Sequence, residues 1–111
     1  MEEERARYDL HIYKGATYCK TATFTIDDEP VDFTGCTVRS QIRKTLNGLL
    51  AVEFDIDVIP LEGVINLTLS AEQTLRLNPG KYVWDLKIVD ADDIVKYDIY
   101  GDVFVSGRAT E

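Results

Sequence analysis

Pro79-Gly80-Lys81-Tyr82-Val83-Trp84-Asp85-Leu86-Lys87-Ile88 decides how the rest of the chain reads. Tyr82, Trp84, Leu86 and Ile88 fall on one side of an extended backbone, and Lys81, Val83, Asp85 and Lys87 on the other. A period of two is that of a strand with one buried face. The stretch holds the only Trp of the chain, and Asn78-Pro79-Gly80 is a turn signal feeding it. Just upstream, Ser70-Ala71-Glu72-Gln73 has capping-box spacing, in which the Ser hydroxyl reaches the N3 amide and the Gln reaches back. One helical turn is therefore expected over about Ala71 to Leu77.

Working outward from this strand, Asp90-Ala91-Asp92-Asp93 reads as a hairpin turn into a last strand, Ile94 to Ser106. Its apolar face is Val95, Tyr97, Ile99, Val103 and Val105, and Gly101 in its middle predicts a bulge or bend. Upstream, Val64 to Leu69 places Ile65, Leu67 and Leu69 inward, after a break at Pro60-Leu61-Glu62-Gly63. Leu50, Val52, Phe54 and Ile56 read as the inward face of one strand. The Asn47-Gly48 pair within Thr45-Leu46-Asn47-Gly48 predicts a hairpin back to the strand Cys36 to Lys44. In that strand Cys36, Val38, Ser40 and Ile42 face the core, and Thr37, Arg39, Gln41 and Arg43 face out.

Nearer the N-terminus, Val31 to Gly35 reads as an extended linker and Asp27-Asp28-Glu29-Pro30 as a turn. Thr17 to Ile26 reads as a strand with Ala22, Phe24 and Ile26 on one side and Thr21, Thr23 and Thr25 on the other, residues that suit a pleated surface. Tyr8, Leu10 and Ile12 alternate with Asp9, His11 and Tyr13 in a short first strand ended by Gly15. Residues 1–7 read as a charged, frayed N-terminal extension, and 8–111 as a single domain.

About seven strands at near-regular spacing with one helical turn are the mark of an all-β, antiparallel β-sandwich. Tyr82, near the start of a strand and just after a helical corner, resembles the tyrosine corner of immunoglobulin-like sandwiches. No Cys follows it two residues on; Trp84 stands there. The resemblance is thus to the wider immunoglobulin-like group, without the buried disulfide of antibody domains.

Composition narrows the function classes. A chain of 111 residues, with 20 acidic against 12 basic residues and a net charge of −8, repels phosphate backbones and anionic lipid surfaces. No nucleic-acid partner and no membrane partner is expected. No apolar run is long enough to span a bilayer, and Met1-Glu2-Glu3-Glu4-Arg5 lacks the apolar segment of a signal peptide. Synthesis and folding in a cytoplasm are expected, and Asn66-Leu67-Thr68 is read as a chance sequon.

The residues offer little chemistry. His11 is the single histidine, no nucleophile-elbow pattern surrounds a serine, and no catalytic residue is assigned. Cys19 and Cys36 are expected as free thiols, because alternation points them to opposite faces, and two Cys with one His fall short of a zinc site. The clusters Asp27-Asp28-Glu29, Asp55-Ile56-Asp57 and Asp90-Ala91-Asp92-Asp93 supply carboxylates but match no calcium loop; Asp is also an ordinary turn residue. No metal, cofactor or enzymatic activity is expected. Tyr8, Tyr13, Tyr18, Tyr97 and Tyr100 are numerous for the length, and tyrosine is a good interface residue. His11 and Tyr13 share one face of the first strand, which makes that face the candidate interface.

The order of motifs resembles a family of small β-sandwich proteins encoded among the virion structural genes of tailed bacteriophages. The resemblance is carried by Asp9-Leu10-His11-Ile12-Tyr13-Lys14-Gly15-Ala16, by the segment from Pro30-Val31-Asp32-Phe33-Thr34-Gly35 to Arg43, by Leu69-Ser70-Ala71-Glu72-Gln73-Thr74, and by Pro79 to Leu86. It covers about residues 8 to 106. Similar modules form the N-terminal domain of baseplate upper proteins, which dock receptor-binding proteins onto the tail. The resemblance implies a non-enzymatic virion component of the tail, baseplate, neck or capsid. Such a component is assembled in the bacterial host cytoplasm, binds other virion structural proteins, and is present in several copies or as a homo-oligomer. With the chain ending at Glu111, a stand-alone module is expected. The alternative is a calcium- or carbohydrate-dependent adhesion module.

Overall fold

In the computed structural model, residues 4–45 and 47–107 are described, without the side chains of Glu4, Arg5, Lys96 and Tyr97. Leu46 in the expected hairpin and the Tyr97 side chain in the expected apolar face lie outside that set. The strands are β1 (Glu4–Arg7), β2 (Leu10–Tyr13), β3 (Tyr18–Thr23), β4 (Thr25–Ile26), β5 (Glu29–Pro30), β6 (Thr37–Arg43), β7 (Leu50–Glu53), β8 (Asp55–Ile59), β9 (Val64–Leu69), β10 (Gly80–Val89) and β11 (Val95–Ser106). One helix, α1 (Ala71–Leu75), lies between β9 and β10.

A six-stranded sheet runs β1-β11-β10-β6-β7, with β2 also on β11; a three-stranded sheet runs β3-β9-β8; β4 and β5 form a small hairpin. The two larger sheets meet through one core. Leu10, Ile42, Trp84, Leu86, Ile88 and Val103 come from the larger sheet, and Ile65, Leu67 and Leu69 from the smaller, all nearly or fully buried. The fold is an immunoglobulin-like β-sandwich. As the alternation of the stretch predicts, Tyr82, Trp84, Leu86 and Ile88 are all buried.

The corner ahead of β10 is closed by side chains of the expected kinds. The Gln73 amide donates to the Ser70 Oγ at 3.1 Å, and the Ser70 amide donates to Gln73 Oε1 at 2.8 Å, completing the capping box. The Tyr82 hydroxyl donates to the Asn78 carbonyl at 3.0 Å, the corner bond of such sandwiches. Thr74, fully buried, takes the Gly15 amide at 3.0 Å and donates to the Ala16 carbonyl at 2.8 Å. The helix is thereby tied to the turn between β2 and β3.

The structure departs from the sequence expectations at several places, one being Thr17 to Ile26, which is two strands, β3 on β9 and β4 on β5. The first residues are not all frayed: Glu4–Arg7 pairs with β11, and both β1 and β2 lie parallel to it. An N-terminal strand meeting the last one needs no local turn, so nothing in the local sequence announces the pairing. Leu50 to Ile56 is two strands. The Phe54 amide donates to the Ser40 carbonyl at 3.0 Å, and beyond it the chain leaves the larger sheet for the smaller. Alternation continues through a change of sheet, so period alone does not reveal it. Leu50 and Ile26, expected inward, are 47% and 59% exposed, because each sits at the end of a short edge element. The linker Val31 to Gly35 carries core: Phe33 is 2% exposed and packs edge-on against Phe24 at 5.3 Å.

Gly101, expected to mark a bulge or bend, lies in regular pairing. Pairing of β10 with β11 runs through Trp84↔Gly101 unshifted, and the bulge lies at Ile88/Val89 instead. A Cβ on Gly101 would collide with the Tyr8 carbonyl. The glycine makes room for the backbone crossing between β1 and β2, the close approach that an in-strand glycine also permits.

The turns follow their residues. Asp27 and Asp28 take φ of 52° and 66°, the left-handed pair of a two-residue hairpin between β4 and β5. Between β6 and β7 the Gly48 amide donates to the Thr45 carbonyl at 3.0 Å and the Lys44 amide to the Leu49 carbonyl at 3.2 Å.

Candidate interaction surface

Alternation that turns Leu10 and Ile12 into the core turns His11 and Tyr13 outward, and pairing aligns β2 with β11 so that His11 meets Phe104 and Tyr13 meets Ser106. His11 and Phe104 stack with ring centroids 5.3 Å apart and planes 24° apart. Tyr13 is 64% exposed and Phe104 37%. These three side chains form an aromatic patch at one end of the larger sheet's outer face. The ring of His11, the single histidine of the chain, lies in this stack.

The middle of the same face is a polar ladder. Registers place Gln41, Asp85 and Tyr100 in one row, Arg39, Lys87 and Asp98 in the next, and Arg43, Val83 and Asp102 in a third. A shallow depression of about 290 Å³ lies among Gln41, Arg43, Val83, Asp85, Asp98 and Tyr100. Arg43 is held by the Gln41 side chain at 2.8 Å and the Gly48 carbonyl at 3.0 Å. Asp102 gathers Arg7 at 2.8 Å and Lys81 at 3.6 Å, which joins β1, β10 and β11 on the outside. Partial burial raises the Asp85 carboxyl pKa above the ordinary carboxylate range; Asp98 adds to the rise, and Lys87, Arg43 and the Gln41 amide oppose it. The cations Arg39 and Arg43 stand on β6 and the carboxylates Asp98 and Asp102 on β11, so the face can match another protein's polar surface in several places at once.

The remaining sequence candidates are dispersed. Cys19 is exposed on β3 and Cys36 is half-buried against the core, both as free thiols. Asp90 accepts from the Asp92 and Ile94 amides at 2.9 and 3.0 Å, so its carboxylate serves its own turn. Among the described residues, no three His, Cys, Asp or Glu side chains are grouped to hold a metal ion, and no helix is long and apolar enough to cross a membrane. Of the tyrosines, Tyr8 and Tyr13 are exposed, whereas Tyr18 packs against the core and Tyr100 sits half-buried in the ladder. Phe104 is the member of the patch that sequence reading missed. Its out-of-phase position beside Val103 and Val105 was the available signal.

No family model matches this chain, and no curated protein matches it. Among solved structures, the chain is similar to the extracellular domain of the voltage-gated sodium channel beta4 subunit, described as a parallel homodimer with a role in cell–cell adhesion. The TM-score is 0.47 at 10% sequence identity, over 92% of this chain and 92% of that one. The adhesion and the dimer are properties of that protein.

Proposed function

We propose that this chain is a non-enzymatic structural component of a tailed-phage particle that binds other virion proteins in several copies, with the outer face of the larger sheet as its docking surface. The observation that carries the surface is the exposed patch of Tyr13 with the stacked His11–Phe104 pair, bordered by the charged ladder. Aromatic anchors on a stiff element beside a polar rim are the usual anatomy of a protein interface. The setting in a virion rests on the motif order described above.

Electron microscopy of purified particles tests the setting. Density for the sandwich, with the aromatic patch against a neighbouring protein, is the expected result; particles that lack the chain altogether would overturn it. The docking face is tested separately by Tyr13→Ser with Phe104→Ser. Both residues are exposed, so the variant should keep the parental melting temperature yet fail to enter particles. Normal incorporation would move the interface elsewhere.

A further inference from the structure

Among the described strands, the smaller sheet has one edge guarded by charge and one without a further partner. On β8, Asp55 and Asp57 project outward as exposed carboxylates beside Glu53, charges that discourage further strand pairing. The other edge is β3, which pairs with β9 alone among the described strands. Its outward residues, Cys19, Thr21 and Thr23, are exposed and uncharged. In an immunoglobulin-like sandwich a first strand can cover this edge; here both N-terminal strands lie on β11 instead.

Beside β3 the seam between the sheets is open. A cleft of about 330 Å³ runs between β3 and the β1–β11 edge, floored by Phe24, Leu67, Trp84, Leu86 and Ile99. Its charged lining is basic, Arg7 and Lys20, in a chain of net charge −8. Arg7 is neutralised by Asp102 and Asp9 at 2.8 and 3.4 Å. Lys20 is not: among the described residues its ammonium meets the Tyr8 hydroxyl at 2.6 Å and lies 4.3 Å from the centre of that ring, with no carboxylate in contact.

We propose that the β3 edge and this cleft receive an extended segment of another protein, a strand whose inward side chains are apolar except for one carboxylate placed against Lys20. Three features select that occupant. The edge backbone offers unpaired N–H and C=O groups to a strand. The apolar floor takes alternate side chains, in the pleat's period of two. Among the described residues lining the cleft, Lys20 is the charge without a counter-ion, which favours an acidic residue over an apolar or basic one. A second copy of the chain is the wrong partner, because two β3 strands paired antiparallel bring two Lys20 ammonium groups into one seam.

The probe is the capped peptide Thr-Val-Thr-Val-Thr-Glu-Thr and its control with Lys in place of Glu, titrated into the full chain and followed by amide NMR. Shifts and slowed hydrogen exchange centred on Tyr18 to Thr23 are expected. The control should bind roughly five- to ten-fold more weakly, as an attractive contact becomes a repulsive one. Lys20→Glu should invert that preference; near-ultraviolet circular dichroism checks that this variant keeps its fold. Equal binding of the two peptides, shifts confined to the outer face of the larger sheet, or no shift at millimolar peptide would each overturn the proposal. So would a concentration-dependent dimer that Thr21→Pro disperses, which would make a second copy the occupant. None of these outcomes overturns the docking face proposed above.

Discussion

The Trp84 indole N–H donates to the Tyr8 carbonyl oxygen at 2.7 Å, across the space that Gly101 leaves open. Trp84 pairs with Gly101 on the neighbouring strand, and the Tyr8 carbonyl carbon lies only 2.7 Å from where a Gly101 Cβ would stand. One hydrogen bond thus locks the crossing between β1 and β2 onto the centre of the core. The Asp102 amide, donating to Asp9 Oδ1 at 2.9 Å, secures the other side of the crossing.

Gly101→Ala should therefore cost about 1–3 kcal/mol, the range for overfilling a packed site. Its distinctive sign should be local: amides of β1 and β2 should lose hydrogen-exchange protection before those of β9. Trp84→Ala should cost more, about 3–5 kcal/mol, through lost core volume. Parental melting of Trp84→Ala would contradict its burial.

Tyr82→Phe removes the corner bond to Asn78 and leaves the ring in place. A loss of about 0.5–1.5 kcal/mol is expected from denaturant unfolding, the net value of one such bond. The ring also lies 4.6 Å beneath the Lys44 ammonium, a contact that Phe retains. A much larger loss would mean that the corner, and not one bond, had come apart.

Thr74→Val keeps shape while deleting the hydroxyl that joins Gly15 and Ala16 to the helix. Because two half-buried backbone groups lose their partner, the expected cost is about 1–3 kcal/mol. Thr74→Ser should recover most of it, and failure to do so would assign the effect to packing of the methyl group.

Asp85 gives a pH dependence with a definite sign. Its carboxyl is raised in the folded chain above the ordinary 3.8, chiefly by burial. The folded state then holds this proton more tightly than the unfolded state. Ionisation costs stability as pH rises from the unfolded value through the folded one, and the cost is complete above both. Asp85→Asn should accordingly melt higher than the parent at neutral pH, with the two curves converging below 3.8. Calorimetry across that range checks it; a variant less stable at neutral pH would show that the carboxylate is net favourable where it lies.

Much of the sandwich was legible because its signals are local. Ser70 and Gln73 close a capping box within four residues, Tyr82 reaches back four residues to Asn78, and the period of β9 and β10 depends on neighbours alone. Phe33 and Gly101 were misread because their reasons lie far along the chain. Phe33 fills the core against Phe24, and Gly101 yields to Tyr8. The candidate interface was half legible: alternation put His11 and Tyr13 on one face, but only pairing brought Phe104 under His11.

Residues 70–73 and 79–88 determined by themselves that a half-buried strand follows a capped corner, because backbone period and capping are properties of adjacent residues. Which sheet each strand joins was decided by the tertiary structure. Parallel pairing of the first strand with the last and the change of sheet at Phe54 both arise from backbone groups distant in sequence finding partners in space. Alternation looks the same whichever partner a strand finds.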